Sequence, residues 1–380
     1  MSNKLRIGFF TDTYRPQING VVASIDSFRL QLEKKGHQVD VFCPKLGVSK
    51  NERNISRFRS FKFVFQPEYH ISIPFSRHIL KDFWAKELDI VHAHTPFSMG
   101  LLGYYYAYIR KVPFVYTYHT LYPEYLKSYV FKGRVITPRM VEKAAALFSN
   151  RCDLNIAPSE KIKRLLKSYG VSQPIKVLPT GIKLNEFKKQ SKNTFRKKYK
   201  LKKEDKVLIF VGRLGKEKNV DFLIKSLELI NKQNTDVKLV IIGDGPHKKN
   251  LQLLAKKRGL RTQVVFTGYF KKPEVVQAYQ ASDLFVFASK TDTQGMVILE
   301  AAACGLPIVA VKDTAFTNIV KDKINGYTTG ESKMTFSKKV LQLVSDEKTY
   351  KKMALKSEEI AKDYSIAKQT DKLIDIYKGI

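Results

Sequence analysis

SKTDTQGMVILEAAACGL, residues 289–306, is the stretch whose reading decides the fold. It leaves a run of strand formers at 283–288 (DLFVFA), crosses a polar turn containing Gly295, and enters an apolar segment with one carboxylate, Glu300. Apolar residues at Met296, Ile298, Leu299, Ala302 and Ala303 match a helix packed on a sheet. Strand, turn and buried helix together are the repeating piece of a parallel α/β sheet. A lone Glu in such a helix is costly unless a partner satisfies it, and a sugar or ribose hydroxyl pair is one such partner. A second carboxylate, Asp292, sits on the turn just before the helix. That turn also offers backbone N–H groups at a helix start, where phosphate binds readily. Two carboxylates flanking an anion-binding helix start are what a nucleotide-sugar site needs.

The same alternation extends outward in both directions. Toward the N-terminus lie a strand at 207–211 (VLIFV), the loop 212–218 (GRLGKEK), a helix at about 220–232, a strand at 238–242, the turn 243–246 (GDGP) and a strand at 264–267. Beyond the opening stretch come a strand at 309–311, an Asn325-Gly326 turn and terminal helices. The first half repeats the pattern, with strands at 5–10, 39–43, 88–93, 114–120, 153–157 and 175–178 and an amphipathic helix at 21–35 that Gly36 stops. Pro179-Thr180-Gly181 punctuates the two halves. The expectation is α/β, with two Rossmann-like doubly wound domains facing a central cleft. Residues 1–180 form the first and 181–364 the second, and a C-terminal helix at about 365–380 packs back on the first.

A length of 380 residues, 43% hydrophobic and 12% aromatic, suits two globular domains with real cores. The three cysteines, Cys43, Cys152 and Cys304, have no metal-ligand spacing and cannot all pair, which fits a reduced, cytoplasmic compartment. No secretory signal opens the chain, and no stretch reaches the roughly 18 apolar residues of a spanning helix. The net charge is +33, with +15 in residues 1–180 and +18 in residues 181–380. Such an excess reads as Lys-rich coding bias or as attraction to anionic lipid or nucleic acid. No basic stripe with aromatic interleaving supports nucleic acid.

Some segments carry two readings each. Residues 75–88 (FSRHILKDFWAKEL) place Phe75, Ile79, Leu80, Phe83, Trp84 and Leu88 on one helical face, flanked by Arg77 and Lys81. This is either a helix lying in an anionic membrane surface, with Arg77, Lys81, Phe83 and Trp84 as its contacts, or a surface helix packed on its own sheet. The basic run 188–206 is solvated helix surface or linker, with lipid or RNA binding as the minority reading. His92 and His94 alternate in a strand and so share a face, but no third ligand follows at metal spacing. His119 ends a strand, where ligands of open parallel sheets sit; a hydrogen-bonded structural histidine is the competing reading. Gly20 and Val21 open a helix where a phosphate could approach.

Taken together, the motifs resemble those of retaining glycosyltransferases of the two-Rossmann GT-B fold, family-4 type. The resemblance rests on N-G-V-V at 19–22, T-Y-H-T at 117–120, P-T-G-I at 179–182, G-R-L-x-K-E-K at 212–218, I-I-G-D-G-P at 241–246 and the two acids of the opening stretch. Within that family, T-Q-G after the first acid and H-T-P-F-S-M-G at 94–100 are similar to diacylglycerol glycosyltransferases, peripheral membrane enzymes. The resemblance implies a UDP-sugar donor, a diacylglycerol acceptor at the inner membrane face, and no permanent cofactor or obligatory metal. It implies that Arg213 and Lys218 grip the donor diphosphate, with backbone near Gly20 and Val21 and at Gln294, Gly295, Met296 and Val297. Glu300 would hold the ribose, Asp292 the transferred sugar, and His119 would lie near the reacting carbon. The first acid is Asp here, where the family usually has Glu, which bears on sugar choice. In a retaining transfer the departing phosphate oxygen accepts the acceptor's proton on the same face, so no carboxylate nucleophile is demanded. Competing readings are another lipid-linked or soluble acceptor, a UDP-sugar epimerase of the same fold, and a nucleic-acid-binding protein. For Arg213 and Lys218 the competing reading is a helix-start ion pair with Glu217.

Overall fold

The computed structural model describes residues 4–17, 19–47, 52–63, 66–73, 83–121, 137–187 and 192–380. It divides into two compact units, residues 1–181 with 366–380, and residues 182–365. Each is built on one parallel sheet.

The strands of the first unit are β1 (Arg6–Phe10), β2 (Gln38–Pro44), β3 (Ile55–Phe58), β4 (Ser60–Phe63), β5 (Gln66–Ser72), β6 (Ile90–Ala93), β7 (Phe114–Thr117), β8 (Leu154–Ala157) and β9 (Ile175–Val177). Seven of them form the sheet, in the order β3-β2-β1-β6-β7-β8-β9, while β4 and β5 pair antiparallel. Apolar runs such as IGFF in β1 and IVHA in β6 suit strands covered on both faces. Ile7 aligns with Val39 on one side and Ile90 on the other. The helices are α1 (Gly20–Lys34), α2 (Ser98–Arg110), α3 (Pro138–Ser149) and α4 (Glu160–Ser168). Asn19 caps α1 by accepting from the Val22 N–H at 2.9 Å, which fixes where the loop after β1 turns into helix. α2 seats closely through glycine: a Cβ on Gly103 would meet the Phe10 ring at 2.9 Å, and one on Gly100 would meet the Thr95 carbonyl at 2.0 Å.

The second unit has the strands β10 (Lys206–Val211), β11 (Val237–Ile242), β12 (Val264–Gly268), β13 (Leu284–Phe287), β14 (Ile308–Val311) and β15 (Gly326–Thr329), in the order β12-β11-β10-β13-β14-β15. Its helices are α5 (Lys192–Lys198), α6 (Val220–Asn231), α7 (Lys248–Lys257), α8 (Lys272–Ala281), α9 (Met296–Ala303), α10 (Lys333–Ser345) and α11 (Glu347–Asp363). One continuous core joins both faces of this sheet, with Leu208, Val240, Phe285, Ile298 and Leu299 all buried. The last helix, α12 (Ile366–Lys378), belongs to the first unit, where Leu373, Ile374 and Tyr377 enter the core beside Ile7, Ile25 and Leu32. Among the described residues no helix is long and apolar enough to cross a membrane.

The basic run splits in two. Residues 188–191 lie outside the described residues, and the rest forms α5 with the turn after it. Phe195 is buried there, and Arg196 donates to the carbonyls of Ala281, Lys202 and Asp205 and pairs with Asp283 at 3.0 Å. An arginine so fully engaged is a structural clamp on the second unit's sheet.

Candidate active site

In the second sheet the chain runs outward from β10 through β11 to β12, then returns to β13 on the other side of β10. That reversal leaves a crevice beyond the carboxyl ends of β10 and β13, the place where open α/β sheets bind ligands. The loop after β10 carries Gly212 to Lys218, and the loop after β13 carries Ser289 to Gly295. The two loops meet there. Lys218 Nζ donates to Asp292 Oδ1 at 3.0 Å and Oδ2 at 3.2 Å, and Asn219 Nδ2 donates to the Ala288 carbonyl at 3.4 Å. Lys218 therefore pairs with Asp292. The Glu217 carboxylate folds over Gly215, leaving 2.1 Å to a Cβ built there. Arg213 is exposed on the same loop, next to the buried Leu214. A second contact sets the loop's path, because Gly243, at φ 136°, brings its α-carbon so near Gly212 that a Cβ would lie 1.9 Å from the Gly212 carbonyl oxygen. The glycines of GRLGKEK and GDGP thus serve backbone packing here.

The start of α9 is Gly295 in the left-handed region, φ 80° and ψ 51°. A side chain there would be strained, and its Cβ would stand 3.0 Å from Ile298 Cδ1. No side chain caps this N-terminus and its first turn has no acid, so Asp292, three residues before Gly295, is the nearest acid that precedes it in the chain. Gln294 is buried, and Met296 and Val297 are partly buried at the helix start. One turn further, Glu300 has partners that sequence reasoning missed. Lys272 Nζ, from the first residue of α8, donates to Glu300 Oε1, and the Tyr279 hydroxyl lies 3.4 Å from Oε2 and 3.2 Å from the Val297 carbonyl. Lys272 also sits over the Phe187 ring at 4.7 Å. Burial, reinforced by Glu300, holds the Tyr279 hydroxyl well above its usual range, and burial pushes the Cys304 thiol up to about 12. Both stay neutral beside the carboxylate.

The first sheet reverses in the same way between β1 and β6. Asp12, 1% exposed, spans that point, accepting from Thr95 Oγ1 at 2.6 Å, Ser98 Oγ at 2.5 Å and the Met99 N–H at 3.0 Å. Burial raises its carboxyl, and the two hydroxyl bonds oppose that. Gly20 and Val21 open α1 with Gly20 exposed and nothing within 4 Å of a built Cβ, so the backbone there is approachable. His119, beyond β7, bonds through Nε2 to His94 Nδ1 at 3.0 Å, and the two rings stack at 5.3 Å. His94 Nε2 is buried without a hydrogen-bond partner. His92 stacks on His94 at 4.3 Å and is saturated, with the Tyr377 hydroxyl on Nδ1 and Thr117 Oγ1 on Nε2, both at 2.6 Å. His92 and His94 do share a face, but they are used in a hydrogen-bonded stack. Among the described residues no group of three His, Cys, Asp or Glu side chains stands ready for a metal. Burial holds His92 down to about 3 and His119 to about 4, so all three rings of the stack are neutral at pH 7.

Of the expected membrane contacts, Arg77 and Lys81 lie outside the described residues. Phe83 is a correction. It is 0% exposed and packs edge-on against Phe42 at 5.1 Å and Tyr106 at 5.0 Å, because its segment turns inward to fill the space over β1 and β2. Trp84 is only partly buried, stacked on Tyr106 at 5.5 Å and edge-on to Tyr105 at 5.9 Å.

Known proteins share this layout. The model described as Glycosyltransferase Family 4 matches residues 18–186, and the one described as Glycosyl transferases group 1 matches residues 191–359. The Alpha-monoglucosyldiacylglycerol synthase of Streptococcus pneumoniae is 34% identical over 342 residues, covering 85% of this chain and 74% of that protein. The enzyme of the same name from Acholeplasma laidlawii is 33% identical over 336 residues, covering 85% of this chain and 84% of its own. Among solved structures, Anabaena HepE in complex with UDP and glucose aligns over 99% of this chain and 100% of its own, with a TM-score of 0.78 at 19% identity. That likeness bears out the two-Rossmann fold.

Proposed function

The chain belongs to the glycosyltransferase family that includes these synthases, and from that premise we propose that it moves a hexose, glucose or galactose, from a UDP-sugar to diacylglycerol with retention, as a peripheral protein on the inner face of the cell membrane. The observation that carries this reading is the Lys218–Asp292 pair at the reversal between β10 and β13. A cation for a diphosphate and an acid for sugar hydroxyls stand within one hydrogen bond of each other, on the loops that lead to a helix with no acid in its first turn. Support for the acceptor comes from the two relatives, both named for a glycosylated diacylglycerol. Support for the donor comes from the fold neighbour crystallised with UDP and glucose.

The chemistry follows from the residues. The bond between the anomeric carbon and the diphosphate breaks, and a bond from that carbon to the diacylglycerol hydroxyl oxygen forms on the same face. The hydroxyl proton passes to the departing phosphate oxygen, giving UDP and monoglycosyl diacylglycerol. Charge accumulates on the diphosphate as it leaves, and Lys218, Arg213 and the N-terminus of α9 offset it. On donor binding Lys218 turns from Asp292 to the diphosphate, which frees Asp292 for the sugar. Glu300 receives the ribose hydroxyls, held by Lys272 and Tyr279. His119, neutral and steadied by His94, donates to or accepts from the donor sugar without adding a charge.

Incubation with radiolabelled UDP-glucose or UDP-galactose and vesicles containing diacylglycerol tests this. A labelled glycolipid with the α configuration at the new linkage is the expected product. Absence of labelled lipid with either donor refutes the acceptor assignment, and a β linkage refutes retention.

A further inference from the structure

α2 breaks the rule that an apolar helix face is covered. Its sequence, SMGLLGYYYAYIR, is apolar nearly all round, a composition that normally belongs in a core. Its inner face is already seated by Gly100, Gly103 and Tyr106. Yet Leu101 is 49% exposed, Tyr105 55%, Tyr108 73% and Ile109 45%. At helical spacing these four fall within about 100° of arc, one continuous outward stripe. Cations border it. Arg110 lies 6.0 Å over the Trp84 ring, whose edge meets Tyr105, and Arg151 lies 5.9 Å over the Tyr104 ring, which neighbours Tyr108 at 6.3 Å. Lys111 follows as the exposed C-cap of the helix. From Ile90 to Leu121 the chain carries no Asp or Glu.

We propose that this stripe is the surface by which the chain lies on an anionic lipid bilayer, with Leu101, Tyr105, Tyr108 and Ile109 entering the headgroup boundary and Arg110, Lys111 and Arg151 meeting lipid phosphates. The inference deepens the lipid-acceptor reading and rests on it for the choice of a bilayer as occupant. Charge complementarity independently favours an anionic surface: an apolar stripe rimmed by cations, on a segment of chain without Asp or Glu, is the composition of an interfacial helix. Tyrosines suit that depth, apolar in the ring and polar at the tip. The two arginines are long enough to keep their guanidinium groups at phosphate level while their stems cover ring faces. The surface also takes over the role expected of Phe83, with Trp84 at its edge.

The test needs no donor and no diacylglycerol, so its failure is separable from failure of the transfer reaction. The full chain is mixed with phosphatidylglycerol-containing vesicles and with phosphatidylcholine vesicles, and binding is read by co-sedimentation and by emission of the single tryptophan, Trp84. Wild type should bind the anionic vesicles better, with the emission shifted to the blue. Leu101→Ser/Tyr105→Ser/Tyr108→Ser should lose on the order of tenfold or more in partitioning while keeping its melting temperature and its affinity for UDP. Arg110→Glu/Arg151→Glu should lose the preference for anionic over zwitterionic vesicles. Unchanged binding by the triple-serine variant overturns the proposal and assigns adhesion to the charge spread over the chain. A wild-type dimer that the triple variant converts to monomer, with no vesicle binding by either, overturns it in favour of a second copy as the occupant.

Discussion

Glu300 and Asp292 are each answered by a lysine, and the two lysines do different work. Lys218 bridges the loops after β10 and β13, whereas Lys272 props Glu300 from outside those loops. On the proposed reading, Glu300→Ala removes the charged acceptor for the ribose and should weaken UDP binding on the order of a hundredfold. Lys272→Met should weaken it less, about fivefold to tenfold, by loosening the carboxylate and leaving it without its counter-ion. Calorimetric titration with UDP separates the two, and an unchanged affinity in Lys272→Met would reduce the lysine to a solubility feature. The two acids are legible in the sequence because they punctuate one strand–turn–helix unit. Lys272 is not, because it comes from α8 and meets Glu300 only through packing of that helix, and no spacing rule joins residues 28 apart. Asp12 was hidden for the same reason, its partners lying 83 to 87 residues away.

At the scale of elements, α9 depends on the conformation of one residue. Gly295→Ala would place a β-carbon in the left-handed region and against Ile298, and should cost about 1–2 kcal/mol of stability. Chemical denaturation measures that, and equal stability would show that the turn relaxes freely. The main strands were readable because runs such as VLIFV and VKLVII, covered on both faces, leave little alternative. β3, β4, β5 and β15 were missed. β3 and β4 are only four residues long, β5 is largely polar, and all three lie at an edge or in a side hairpin, while β15 begins at the Gly326 of an Asn-Gly pair that reads as a turn. Gly326 is in the strand because it lies against β14, where a Cβ would be 1.9 Å from the Ile308 carbonyl oxygen. The helix expected at 75–88 shows the limit of periodicity: residues 75–82 lie outside the described residues, and Phe83, expected at a membrane face, lies in the protein's own core. Conversely, the exposed stripe of α2 was invisible because an all-apolar helix reads as buried.

On the scale of the whole molecule, the stacked histidines tie the stability of the first unit to pH. Each is held neutral by burial, so its folded pKa lies below the ordinary 6.5, at about 3 for His92 and about 4 for His119. Below pH 6.5 the unfolded chain takes up protons that the folded chain refuses. Stability should therefore fall as pH drops from about 6.5 toward 4, by up to about 1.4 kcal/mol per pH unit for each histidine. The raised carboxyl of Asp12 works in the opposite direction, while His37, also lowered by burial, adds to the three stacked rings. Denaturant unfolding followed at pH 7.5 and pH 5 checks this, and a first transition that does not move would contradict it. Tyr377, bonded to His92, brings one further consequence. The helix that completes the first unit's core is encoded after the entire second unit. On the ribosome, the N-terminal sheet emerges early and waits, its face beside Ile7 and Leu32 open, until the final helix has left the exit tunnel. The first unit can thus complete its core only after the second unit has been translated.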